Sequence, residues 1–379
     1  MNTSPLLNLE SLGQSIWMDF ISRGTITSGQ LQQWIERDGI SGVTSNPSIF
    51  QKAITESDDY DESIRDLTLE GMAGDEIFRS LAVEDIQRVA ELLRPTYDRT
   101  DGRDGFVSLE LSPKLAHDTT RTIAEARELW ALVNRPNAMI KVPATSEGIS
   151  AIRELIGEGI NVNITLLFGL PRYREVADAY ISGLEMRAAM GKPLKEIASV
   201  ASFFLSRIDT LIDPMLEEIL MSDNPRAGTA ARLQGQIAIA SAKVAYEIYK
   251  ELFSGERFTK LANKGARAQK LLWASTSTKN PVYKDTKYVE ALIGHNTINT
   301  VPIETLNAYR DHGHPAQTLD QEVHRAYHSL NKLSIVGIDL NAITQQLEDE
   351  GIAKFIAAFD QIMDSLREKE SAMRELHGQ

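Results

Sequence analysis

Three ionisable side chains stand in apolar stretches where each is costly. Lys141 lies inside Ala138-Met139-Ile140-Lys141-Val142-Pro143-Ala144-Thr145, Glu110 between Leu109 and Leu111, and Asp19 directly after Ile16-Trp17-Met18. On a buried strand, desolvation disfavours an ammonium and draws its pKa down toward the neutral, nucleophilic amine. That is the form a Schiff-base enzyme needs. A carboxylate between two leucines must meet a cation or line a polar pocket, and Lys141 is the natural partner of Glu110. Plainer readings stand beside these: a lysine at a strand end whose head reaches water, a purely structural ion pair, and an aspartate that caps the next segment.

Further polar residues fall at the ends of apolar runs: Asn46, Asn163 with Thr165, Ser202, Ser275 and Thr300. Aimed into one mouth, the whole set holds the parts of an imine-forming enzyme: a nucleophile, proton shuttles, and hydrogen-bonding partners for a polyol. Arg207 opens a helix after Ser202-Phe203-Phe204-Leu205-Ser206. It either forks a phosphate together with the Ser202 hydroxyl or pairs with Asp209 in solvent. Ser275-Thr276-Ser277-Thr278-Lys279 is a hydroxyl-rich loop with one cation, suited to an oxyanion and equally common as a plain loop. Gly157-Glu158-Gly159 runs into a strand rather than a helix, so it is no dinucleotide loop. His312 with His314 and His324 with His328 lack the glutamate and third ligand of a zinc motif. Neither metal nor cofactor is expected.

The elements that must position these residues follow from hydrophobic period. Apolar runs at 15–20, 42–47, 105–111, 138–145, 161–168, 197–204, 270–276 and 296–303 read as strands. Amphipathic segments alternate with them. Thr27 is expected to cap a helix whose Leu31, Trp34 and Ile35 share a face, and a helix over 124–132 follows the third strand. Ser146 is expected to cap a helix over 149–156 that stops at Gly157, and Pro171 opens a helix over 173–190 closed by Gly191. This alternation predicts an α/β fold, a (β/α)8 TIM barrel, although an open doubly wound sheet shares the same alternation. Two stretches exceed a bare barrel: 51–104, between strands two and three, and 311–379, where Ile352, Phe355, Ile356, Phe359 and Met363 fall at helical spacing. No linker bounds either, so the expectation is one catalytic domain over 1–379 with helices packed on the barrel. In such barrels chemistry collects at the carboxyl ends of the strands.

Composition narrows the functions. With 42% hydrophobic and 25% charged residues the chain can bury a sizeable core. A net charge of -13 argues against nucleic-acid or anionic-membrane partners and confines any phosphate site to a small local pocket. The absence of cysteine excludes thiol nucleophiles and cysteine-ligated metals and fits a reducing cytoplasm. Residues 1–14 lack the basic and apolar regions of a signal peptide, and no apolar run is long enough for a membrane span. A soluble cytoplasmic protein is expected.

Six segments together resemble the transaldolases, the longer bacterial type, within the class I Schiff-base aldolase superfamily. They are Trp17-Met18-Asp19, Gly42-Val43-Thr44-Ser45-Asn46-Pro47-Ser48, Val107-Ser108-Leu109-Glu110, Ile140 through Gly148, Asn161 through Phe168, and Ala201-Ser202-Phe203-Phe204. The resemblance implies an (α/β)8 barrel that moves a dihydroxyacetone unit between sugar phosphates in the pentose phosphate pathway without a cofactor. It implies Lys141 as the Schiff-base lysine, Glu110 and Thr165 as holders of a catalytic water, and Asp19 as the acid/base at the hydroxyl beside the cleaved bond. Asn46, Asn163 and Ser202 would contact the sugar, and Arg207 the phosphate. Shorter members carry a second phosphate-binding arginine after strand seven, where this chain has Ser275 through Lys279. Lys279 is then a point charge in place of a bidentate fork. An aldolase releasing free dihydroxyacetone and a non-catalytic sugar-phosphate-binding barrel are the alternatives, and a monomer and a homodimer are both open.

Overall fold

The computed structural model describes residues 4–222 and 225–376. Eight strands, β1 Gln14–Met18, β2 Ile40–Thr44, β3 Phe106–Glu110, β4 Ala138–Pro143, β5 Val162–Leu167, β6 Ser199–Phe204, β7 Lys270–Ala274 and β8 Thr297–Val301, close into one barrel in sequence order. Parallel pairing of β1 with β8, from Gln14 opposite Thr297 to Met18 opposite Val301, completes the ring and rules out the open sheet. Every residue of β4, β5 and β6 is buried, as required of parallel strands covered by side chains on one face and helices on the other. The opposite end of the barrel from the polar cluster is plugged by Trp17, whose indole donates to Asp104 at 2.8 Å and whose ring lies 6.4 Å from that of Phe106. A cavity of about 550 Å³ lined by Gln14, Arg99 and Lys270 opens at that end, the end that in this architecture serves stability.

Six strands lie within their expected runs, trimmed at one or both ends, while β1 and β2 start one and two residues earlier than expected and end earlier. The helices expected over 124–132 and 173–190 run over Thr119–Val133 and Leu170–Ala189, and three other boundaries differ, each for a local reason. Thr27 ends a short helix, Arg23–Thr27, capped by Ser22, and the helix Gln30–Asp38 starts instead from Gly29 at φ +76°. Thr145, not Ser146, caps the helix Ser146–Glu158, its hydroxyl accepting from the Gly148 amide at 3.0 Å. That helix runs past Gly157 to Gly159, which takes the left-handed conformation at φ +106°. Gly148 is required by close approach, since a Cβ there would stand 2.0 Å from the Pro143 carbonyl oxygen.

The 51–104 stretch carries most of the helix Pro47–Thr55 and the helices Asp61–Leu69 and Asp75–Arg99, and the tail carries Val323–Val336 and Leu340–Leu376. A third enlargement, absent from the sequence reading, lies between β6 and β7, where Ser206–Met221, Ala227–Leu233, Ile237–Ser254 and Glu256–Ala262 follow one another. Between β7 and β8 stands only the short helix Lys287–Glu290, so the alternation lapses there. The helix Ile237–Ser254 covers that side, Tyr246 donating to the His295 carbonyl at 3.0 Å. Among the described residues no helix is long and apolar enough to cross a membrane.

Candidate active site

Register places the chemistry. Glu110 pairs across from Lys141, Lys141 from Asn163, and Pro143 from Thr165, so four polar side chains lie on neighbouring strands, Glu110 at the carboxyl end of β3, Lys141 within β4, and Asn163 and Thr165 within β5. The Lys141 ammonium lies 2.9 Å from Glu110 Oε2, the two side chains only 5% and 7% exposed, and it donates to the Ser45 carbonyl at 2.8 Å. Burial pushes the Glu110 carboxyl above its ordinary range more strongly than the neighbouring lysine pulls it down. Asp19, just past β1, accepts from the Thr44 hydroxyl at 2.7 Å, and Thr44 shares a second bond with Thr300 at 2.8 Å. Burial raises the Asp19 pKa as well, against the pull of Lys141 and of the Thr44 bond. Two carboxyls with raised proton affinity around one amine are placed to accept and return protons.

A cavity of about 460 Å³ opens above Lys141, large enough for a small polar ligand. Asp19, Asn46, Ser202, Arg207, Ser275 and Lys279 line it. Asn46 has its Oδ1 committed to capping Pro47–Thr55 through the Ile49 amide at 3.0 Å, which leaves its NH2 for a ligand. Arg207 stacks over the Phe204 ring at 5.4 Å, and burial lowers its pKa. It does not pair with Asp209, which instead accepts from Tyr288 at 2.8 Å and lies 3.2 Å from the Lys287 ammonium. Lys279 donates to Ser277 at 2.7 Å, and Ser275, at φ +54°, shares a hydroxyl bond with Ser206 at 2.8 Å.

Glu110, Asn163 and Thr165 are not among the residues lining this cavity. Glu110 faces a neighbouring cavity of about 590 Å³ that shares Asn46 with the first, so the lysine–glutamate pair stands between the two. Asn163 lies below, fully buried, donating to Ser108 at 2.9 Å and accepting from Ser202 at 2.6 Å. The Thr165 hydroxyl is buried with no partner among the described residues, a state that calls for a reason. It borders a bulge: Ile164 pairs with Ala201, but Leu167 with Phe203, and Leu166 between them holds φ +54°, a strained backbone for leucine that re-aims its neighbours.

Several lining residues were not placed at the site by the sequence reading, among them Lys52, Glu304 and Phe355. Lys52, on Pro47–Thr55, is an exposed cation at the cavity, and Phe355 reaches it from the tail helix. Lys52 follows Ile49 by three positions, one turn on from the Asn46 cap, a spacing that would have put it on the same helix face. Among the described residues no three His, Asp or Glu side chains are grouped to hold a metal ion.

A barrel holding a buried lysine beside two buried carboxyls has the make-up of an imine-forming, lysine-dependent enzyme. The family model described as transaldolase/fructose-6-phosphate aldolase matches residues 16–366. The chain is 49% identical over 365 residues to transaldolase 1 of Streptomyces avermitilis, covering 95% of this chain and 94% of that protein. It is 45% identical to a transaldolase of Thermobifida fusca, covering 97% and 99%, and 46% identical to a transaldolase of Thiobacillus denitrificans, covering 94% and 98%. The chain belongs to the transaldolase/fructose-6-phosphate aldolase family.

Proposed function

We propose that the chain is a transaldolase that carries a dihydroxyacetone unit on Lys141 from a ketose phosphate to an aldose phosphate. The Lys141 amine attacks the C2 ketone of fructose 6-phosphate or sedoheptulose 7-phosphate. Glu110, through a water that it holds with Thr165, delivers the proton with which the C2 oxygen leaves as water. The resulting iminium draws electrons while Asp19 removes the C4 hydroxyl proton; the C3–C4 bond breaks, an aldose phosphate departs, and a three-carbon enamine remains on Lys141. Glyceraldehyde 3-phosphate or erythrose 4-phosphate then takes up the unit by the reverse steps. Asn46 and Ser202 contact the sugar hydroxyls, Asn163 orients Ser202, and Arg207 with Lys279 and Ser275 holds the phosphate. This is the three-carbon exchange of the pentose phosphate pathway, which a cysteine-free chain can perform in a reducing cytoplasm.

The observation that carries the reading is the buried contact of 2.9 Å between Lys141 and Glu110 beneath a cavity that also holds Asp19 and Arg207. Borohydride reduction in the presence of fructose 6-phosphate, followed by peptide mapping, tests it: the adduct is expected on Lys141, and an adduct on another lysine, or none, refutes it. The family description also covers an aldolase, which would release free dihydroxyacetone over many turnovers from fructose 6-phosphate alone.

A further inference from the structure

The strand-end chemistry leaves Phe355 without a role. It belongs to the tail helix Leu340–Leu376, yet lines the same cavity as Asp19 and Lys141 and is only 3% exposed. One turn earlier, Gly351 lies against the site: a Cβ on it would stand 2.8 Å from Leu166 Cδ2 and 3.5 Å from Arg207 Nη1. The helix therefore comes down on the bulge beside Thr165 and on the phosphate-binding arginine at a residue with no side chain to hold it off. Its far end is fastened as well, Lys369 to Asp61 and the Glu370 carboxylate to the Gly74 amide at 2.8 Å. Phe355 is thus held over the cavity from both directions along its helix.

We propose that Phe355 is a specificity-determining residue that closes the substrate cavity to water while the three-carbon enamine waits, and so sets how often the unit is transferred rather than released. The inference rests on Lys141 as the imine lysine. The competing step is a hydrolysis. A proton from water adds to C3 of the enamine to give an iminium, hydroxide from the same water adds to C2, the proton of the new hydroxyl passes to nitrogen, and the C–N bond breaks with its electron pair returning to Lys141. The products are dihydroxyacetone and the free amine, with one water consumed and no oxidant or reductant involved. An apolar ring over the site lowers the local supply of water for these steps without touching the aldehyde that competes with them.

The test measures dihydroxyacetone released from fructose 6-phosphate alone against transfer to erythrose 4-phosphate, in the full-length enzyme. Phe355→Ala should raise the ratio of release to transfer roughly tenfold or more, as expected when water reaches a reactive intermediate. Phe355→Leu, which keeps an apolar plug, should remain near the parent value. Should the alanine variant fail to fold, Phe355→Val must show an intermediate rise. An unchanged ratio in a folded truncation that still forms the Lys141 borohydride adduct overturns the proposal. So does an equal rise in Phe359→Ala, one turn further on and packed against Phe78 at 5.6 Å, because that would report a loosened helix. Absence of the adduct from the parent enzyme would instead refute the role of Lys141, a separate failure.

Discussion

The Lys141–Glu110 pair allows a stability experiment in which two substitutions should behave differently with pH. Both side chains are almost wholly enclosed and 2.9 Å apart, so removing one partner leaves the other buried without its counter-charge, at a cost of about 3–5 kcal/mol. At about 2.1 cal/mol/K per residue, the 379 residues give an unfolding entropy of ~0.8 kcal/mol/K, so the midpoint should fall by about 4–6 °C. Glu110→Gln should show this loss near neutral pH. Lys141→Met leaves a carboxyl that burial already holds above its ordinary range, and without the lysine it is raised further. A group with a raised folded pKa contributes stability that is fully present below its unfolded value and is lost as pH rises through the folded one. Lys141→Met should accordingly be mild near pH 4 and grow costlier toward neutrality. The double variant should cost less than the sum of the singles by roughly 0.5–3 kcal/mol. Scanning calorimetry across pH reads all three. Additive losses, or a Lys141→Met cost that does not change with pH, would show that the two groups do not share a proton economy.

Asp19→Asn should lower turnover by about 10²–10⁴-fold while still forming an imine, so the borohydride adduct should carry the intact ketose by mass spectrometry; a three-carbon adduct would take bond cleavage away from Asp19. Because burial raises the Asp19 pKa, the same variant should be more stable than the parent near neutral pH, the gain disappearing as the pH falls into the ordinary carboxylate range. Thr165→Val removes a hydroxyl that bonds no described residue, so the unfolding midpoint should hold to within about 1 kcal/mol while imine formation, followed by stopped-flow trapping, slows. Lys279→Ala should raise KM about fivefold for phosphorylated substrates, the worth of roughly 1 kcal/mol from an exposed cation, and leave KM for unphosphorylated donors unchanged; equal effects on both would remove Lys279 from the phosphate site.

How far the chain could be read in advance depended on the range of the forces involved. β4 to β6 were legible because a parallel strand buried on both faces writes itself as an unbroken apolar run, and the register that brings Glu110 beside Lys141 follows from barrel closure. Helix starts were less so. Thr145 and Ser146 are equally good capping residues, and only the packing of Gly148 on Pro143 selects between them. The left-handed Leu166 was illegible, since no local preference of leucine favours it and the tertiary surroundings impose it. The apolar spacing around Phe355 announced a helix and its inner face, but period carries no record of what a face will cover. Asn163, a sugar contact by the resemblance, is bonded to Ser108 and Ser202, two partners on other strands that no local pattern announces.

The strap formed by Leu340–Leu376 has a consequence for how such a chain can change. Its Phe359 packs on Phe78, which packs in turn on Phe50, and Lys369 and Glu370 fasten to Asp61 and Gly74, all within the excursion between β2 and β3 or at its start. Where the two additions meet, each covers apolar surface of the other, so shortening one would expose a greasy flank on the other. The two decorations of the barrel are separated by most of the polypeptide, yet they share one apolar seam, so a change on either side of it is felt on the other.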